Sequence, residues 1–205
     1  MPTVCNTLPE HAPALEELQR IVFPTLSDVE RLTAPQYLRH LELFPDGQFV
    51  LLEDGIPVGM TTTMRSDFDP GDYRHTFSEI SDGGWLGHHQ PVGSWLYGLD
   101  MGIHPAYRGR GWSRLLYRAR QQLVERLGLK GQVTVGMMNG YGRVADEVSG
   151  EAYYRQWLEG SRTDPTLTPQ RKIGFQPLAL LADYLHDPGC GNFGVLLRLD
   201  AGKEV

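Results

Sequence analysis

The stretch Gly102-Ile103-His104-Pro105-Ala106-Tyr107-Arg108-Gly109-Arg110-Gly111-Trp112-Ser113 decides how the rest of the chain is read. An apolar run ends there, Pro105 turns the backbone, and a glycine-rich loop leads into a segment of helical periodicity. Backbone N–H groups at a helix start lack intrahelical acceptors, and the helix dipole adds partial positive charge. A pyrophosphate is the natural ligand of such a place. Gly109 and Gly111 let the backbone approach an anion closely, and Arg108 and Arg110 supply cationic character. A P-loop would end in Gly-Lys-Ser/Thr, which is absent. A dinucleotide fingerprint would need a third glycine where this chain has Arg114.

Downstream of the loop, residues 111–127 read as a helix with Leu115, Leu116, Ala119, Leu123, Val124 and Leu127 on one face, stopped at Gly128. Residues 132–138 read as a strand parallel to 95–103, giving a β-α-β unit. Gly98 and Gly102 interrupt the first of these strands, which marks a bulge or a close approach by a ligand. A helix over 144–158, an irregular insertion over 162–170, and closing strands at 178–181 and 195–199 complete this side. Upstream, Pro9 opens a helix with Ala12, Leu15, Leu18, Ile21 and Val22 at helical spacing. A second helix over 35–44 turns Tyr37, Leu38 and Leu41 inward. Strands at 49–53 and 56–65 flank the hairpin signal Asp54-Gly55. Residues 66–94, with Pro70, Gly71, Gly83, Gly84, Gly87, Pro91 and Gly93, are too long for a plain connection and read as a functional loop or lid. A short helix over 76–80 lies inside it.

The 205 residues fit one α/β domain spanning the whole chain. A formal charge of -6 and a pI of about 5.6 argue against a nucleic-acid partner, whose phosphates demand clustered Lys and Arg. Two cysteines, Cys5 and Cys190, fit neither a disulfide scaffold nor a zinc site, so no metal is expected and a cytoplasmic setting is. Neither a signal peptide nor a membrane span is read from the chain.

The loop Arg108-Gly109-Arg110-Gly111-Trp112-Ser113 resembles the acyl-CoA loop of the GNAT acetyltransferases, Arg/Gln-x-x-Gly-x-Gly/Ala, with Ser113 in place of the usual small apolar residue. Ile103-His104-Pro105 is similar to the family's Val-x-Pro, and Ile173-Gly174-Phe175 to its late Gly-Phe pair. The order of elements matches over nearly the whole chain if residues 2–5 form the first strand. Tyr97-Gly98-Leu99-Asp100 and Gly140-Tyr141 point more narrowly to a subgroup found alone or joined to nitrilase-like carbon–nitrogen hydrolase domains.

The resemblance implies a central mixed sheet flanked by helices on both faces and splayed at its two parallel strands. It implies acetyl-CoA as co-substrate and direct acetyl transfer to a small-molecule or peptide amine; a homodimer is compatible with it. The rival reading is a non-catalytic acyl-CoA-binding or regulatory module. Met101, Gly102, Ile103 and residues Arg108, Gly109, Arg110, Gly111, Trp112 and Ser113 are then expected to hold CoA. Asn139 stands either against the pantetheine arm or simply in a turn. The carboxylate base of some relatives falls at Tyr97, which leaves Asp100 as the only carboxylate of that strand, in a catalytic or a structural role. His75, Glu79, His88 and His89 in the long loop are further candidates, for proton transfer or acceptor binding. The tyrosine acid of many relatives falls at Gln170; Tyr141 is the preferred substitute over Tyr153 and Tyr154. Asp67, Asp69, Asp72, Glu79 and Asp82 are either a solvated acidic loop or a steering field for a cationic amine.

Overall fold

The computed structural model describes residues 1–69 and 72–205; Pro70 and Gly71 of the glycine- and proline-rich stretch lie outside the described residues. The elements run β1 (Thr3–Asn6), α1 (Ala12–Val22), α2 (Ala34–Leu43), β2 (Phe49–Glu53), β3 (Ile56–Ser66), α3 (Phe77–Ser81), β4 (Trp95–Ile103), α4 (Ser113–Arg126), β5 (Gly131–Met137), α5 (Gly150–Glu159), α6 (Leu167–Ile173), β6 (Gln176–Leu181) and β7 (Gly194–Asp200). The strands form one sheet in the order β1-β2-β3-β4-β5-β7-β6. Among the described residues β4 and β5 are the parallel pair, and the other neighbours are antiparallel.

Period-two alternation divides the interior into two layers. Val50, Met60 and Met64 face α1 and α2, while Leu51, Val58 and Leu96 face α4. The hairpin between β2 and β3 turns on Asp54 (φ 50°) and Gly55 (φ 79°), both left-handed, as the tight turn there requires. α1 buries Ala12, Leu15, Leu18 and Val22; Ile21 of the same periodic set is exposed.

Three expectations need correcting. In α2 the buried side chains are Gln36, Tyr37 and His40, and Leu38 faces out, because polar side chains here find partners inside. Gln36 Nε2 donates to Gly83 O at 2.9 Å, and His40 Nε2 lies 2.7 Å from Gly84 O. The helix expected over 144–158 begins only at Gly150, after a cap in which Ser149 Oγ accepts from Ala152 N at 3.2 Å. The stretch expected to be irregular over 162–170 contains the start of α6, opened by Asp164 Oδ1 accepting from Thr166 N (2.8 Å) and Leu167 N (2.9 Å). An acidic acceptor at a helix start satisfies N–H groups that lack intrahelical acceptors, and Pro165 and Pro169 have no N–H to satisfy.

The long segment after β3 is tied into the scaffold. Besides the bonds from α2, Gln90 N donates to Arg65 O at 3.0 Å and Phe77 N to Tyr184 O at 2.7 Å. Asp67 accepts from Ser94 N and Oγ, each at 2.9 Å, and Glu79 Oε2 caps Thr76 N at 2.8 Å. Two of the acidic residues considered for steering are thus committed to local structure.

Candidate functional site

The site begins with a bulge. Gly98 of β4 pairs with Thr63 and Asp100 with Thr62, so Leu99 is the extra residue. Without it Tyr97 and Leu99 would share a face; with it Tyr97 and Asp100 do, and Asp100 turns toward α1. Re-aiming a side chain beside a pocket is a common use of a bulge. On the other face a Cβ at Gly98 would collide with the Arg120 guanidinium, so only glycine fits there.

Pairing of β4 with β5 ends at the same point. Leu96, Tyr97 and Gly98 pair with Gln132, Val133 and Thr134, and Thr134 Oγ1 donates to Gly98 O at 2.8 Å. Beyond that rung the strands diverge, and a cavity of about 330 Å³ occupies the gap. Met101, Gly102 and Ile103 line one side of it; Val135, Gly136, Met137 and Asn139 line the other.

At one end of the cavity stands the loop before α4. Gly109 and Gly111 hold φ of 77° and 75°, a region other residues enter only under strain. Among the described residues the N–H groups of Gly109, Arg110, Gly111, Trp112 and Ser113 donate to no carbonyl or side chain. Arg108 is held by bonds from Nε to Ile103 O (3.0 Å) and from Nη2 to Val22 O (3.4 Å). Arg108, Gly109, Gly111, Trp112 and Ser113 all line the cavity. Arg110 does not; its guanidinium lies 5.1 Å from the ring centroids of both Tyr107 and Trp112.

Asp100 lines the middle. Its Oδ1 accepts from Thr62 N at 2.6 Å. Its Oδ2 accepts from Gln19 Nε2 at 2.6 Å and Tyr37 Oη at 3.3 Å. Burial raises the carboxyl above the usual aspartate range, and these donors oppose the rise. Opposite, Tyr117 and Gln170 share a bond, Gln170 Nε2 donating to Tyr117 Oη at 2.7 Å. Both line the cavity. Behind Tyr117 the Arg120 guanidinium lies 5.4 Å from the ring centroid. Arg120 is fully buried, and among the described residues none of its side-chain nitrogens has a hydrogen-bond partner. Burial lowers its pKa to about 10, so it remains charged at neutral pH.

Other residues singled out from sequence lie elsewhere. Tyr97 is 1% exposed and its hydroxyl is 2.6 Å from His75 Nε2; neither is a cavity wall. Tyr141 packs edge-on against Tyr153 and Phe193. His89 Nδ1 accepts from Arg65 N at 3.1 Å, and its ring stacks on Phe44. His88 is exposed, and Glu79 is the cap already described. Asn139 is a wall residue whose Nδ2 donates to Thr166 Oγ1 at 2.7 Å.

Sequence reasoning missed Gln19, Tyr37, Tyr117 and Glu30. Gln19, Tyr117 and Glu30 line the cavity, while Tyr37 reaches the site through its bond to Asp100. The signal for Tyr117 was its spacing of four from Ser113, which puts both on one helix face. Among the described residues no group of His, Cys, Asp and Glu could hold a metal ion, and no helix is long and apolar enough to cross a membrane.

No protein-family model matches the chain. A Bacillus subtilis protein named "Probable hydrolase YhcX" is 33% identical over 171 residues, which is 83% of this chain and 33% of that protein. The chain therefore spans about a third of the length of that relative. A second Bacillus subtilis protein, "Uncharacterized N-acetyltransferase YkwB", is 29% identical over 197 residues, 96% of this chain and 87% of the relative. Among solved structures, the GphF GNAT-like decarboxylase in complex with isobutyryl-CoA superposes with a TM-score of 0.79 at 24% identity, covering 97% of this chain and 98% of that one. The loading GNATL domain of CurA from Lyngbya majuscula gives 0.81 at 21% identity, with 98% of each chain covered.

Proposed function

Because the chain has the GNAT fold, and resembles an N-acetyltransferase along nearly its whole length, we propose that it is an acyl-CoA-dependent acyltransferase, and specifically an N-acetyltransferase acting on an amine. The observation that carries this is the coincidence of two features. The β4–β5 ladder stops at Gly98 and Thr134, and the unpaired N–H groups of Gly109 to Ser113 stand at the mouth of the resulting gap. Such amides suit a diphosphate, and the gap suits an extended arm that bonds to strand edges. Neighbours solved with acetyl-CoA and isobutyryl-CoA support acyl-CoA as the co-substrate. Likeness to one third of a probable hydrolase supports the subgroup also found joined to carbon–nitrogen hydrolase domains.

In this reading the amine nitrogen attacks the thioester carbonyl carbon; a C–N bond forms and the C–S bond breaks. Asp100 takes the proton that the amine loses, and its raised pKa suits that task. Tyr117 gives a proton to the departing thiolate. Its oxygen accepts from Gln170, so its own O–H is left to donate. Arg120 behind the ring is a positioning residue, and its charge favours the tyrosinate formed in that step. Asp100 and Tyr117 regain their resting states by exchange with water. Holding both substrates in one cavity supplies the remaining advantage.

The test is free-thiol release from acetyl-CoA with a panel of primary amines. Tyr117→Phe and Asp100→Asn should each lower kcat about a hundredfold while leaving the Kd for CoA within about twofold. The Asp100→Asn variant should also lose the wild-type fall in rate on acidification. Unchanged kcat in both variants at every pH would refute these roles. Tight CoA binding with no turnover of any amine would instead favour a binding module.

A further inference from the structure

We propose that the acceptor end of the cavity is built for an aliphatic diamine, with Glu30 holding the ammonium that does not react. This rests on the transferase reading above and adds a substrate class to it. α1 supplies Gln19, which bonds Asp100 at 2.6 Å, and Phe23, the residue just after the helix, follows one turn further on. The chain then continues the wall through Leu26, Glu30 and Leu32. The cavity thus carries two carboxylates, Asp100 and Glu30, together with the apolar wall residues Phe23, Leu26 and Leu32.

Glu30 is 8% exposed and firmly oriented. Its Oε2 accepts from Ser27 Oγ at 2.7 Å and from His186 N at 2.7 Å. No hydrogen bond to Oε1 is present among the described residues, so that oxygen keeps its lone pairs. The His186 imidazole stands 3.6 Å from Oε2, but its side chain is 80% exposed and screened by solvent. Arg108 is the cationic side chain among the described residues lining the cavity, and it is bonded to backbone oxygens at the loop end.

The charges are thus segregated, with Arg108 and free amides toward one substrate and two carboxylates toward the other. A buried carboxylate lacking a cation is costly, so the group that fits beside Glu30 is an ammonium. Phe23, Leu26 and Leu32 on the cavity wall match methylenes, not further polar groups. A simple alkylamine would leave Glu30 unpaired, and an amino acid would set a carboxylate against it. The reacting nitrogen loses its proton to Asp100 and gains the acetyl carbon, while the remote nitrogen stays protonated on Glu30.

The experiment compares diaminobutane and diaminohexane with butylamine and hexylamine, in the wild-type protein and in Glu30→Gln. The amide keeps an oxygen acceptor for Ser27 and His186, so the fold is retained, and a thermal melt checks this. We expect kcat/KM of wild type for the better diamine to exceed that for its matching monoamine by about tenfold or more. In Glu30→Gln that preference should vanish through a raised KM for the diamine, with a smaller change, or a gain, for the monoamine. Equal use of diamines and monoamines, or equal losses for both in the variant, would overturn the diamine assignment while leaving amine acetylation standing. Acetylation of no amine at all, with acetyl-CoA bound, would overturn the transferase reading and this inference with it.

Discussion

At Gly111 the backbone sits at φ 75°, and a Cβ built there meets nothing within 4 Å. The requirement for glycine is therefore conformational, and a side chain would not strike the protein's own atoms. The left-handed region costs an ordinary residue about 1–2 kcal/mol, and a β-branched one more. Gly111→Val should relax the loop out of this conformation and turn its amides away from the gap. We expect acetyl-CoA affinity, measured by calorimetry, to fall about tenfold or more. An unchanged Kd would remove the loop from the binding site. Arg120 poses a different question at the same level. Among the described residues its guanidinium is buried without a hydrogen-bond partner, a costly state, and the group it faces is the Tyr117 ring, which motivates the role proposed for it in the electrostatics of Tyr117.

α2 shows how an element can be read correctly in extent and wrongly in face. Apolar spacing turns Leu38 inward, yet the helix buries Gln36, Tyr37 and His40. Gln36 and His40 bond carbonyls of the 66–94 segment, and Tyr37 bonds Gln19 and Asp100, partners that no local pattern reveals. His40 has a consequence for stability. Burial lowers its pKa from 6.5 to about 4. Above pH 6.5 the ring is neutral whether folded or not, and its contribution is complete. Between pH 6.5 and about 4 the unfolded chain binds a proton that the folded chain refuses, so stability falls with pH. The loss approaches about 3 kcal/mol. Urea unfolding at neutral and acid pH should show this slope, and His40→Gln should flatten it. An identical slope in the variant would place the acid sensitivity elsewhere.

α4 gives the same lesson within the site. Its periodic leucines locate the helix, but the inward side chains Tyr117 and Arg120, proposed above to take part in the chemistry, sit in a sequence pattern that gives polar groups no inward weight. The strands and the glycine loop were readable because their signals are local: Asp54-Gly55 for the hairpin, paired glycines before a helix for the loop. Glu30 was not readable, since the amide that orients it belongs to a residue 156 positions away.

For the whole molecule, one arrangement joins these parts. A sheet bulged at Leu99 and opened beyond Gly98 sets a carboxylate on one side of a gap and a tyrosine on the other. The free amides of the loop stand at its mouth. The net charge of -6 is compatible with an anionic ligand because donors are concentrated locally at a helix start. Hydrogen–deuterium exchange with and without acetyl-CoA tests this arrangement most directly. The peptide covering residues 108–113 should exchange rapidly in the free protein, and both it and the peptide covering residues 99–103, paired on one edge with β3, should gain protection on addition of acetyl-CoA, with β6 unaffected. Binding that leaves both peptides as fast as before would contradict the account.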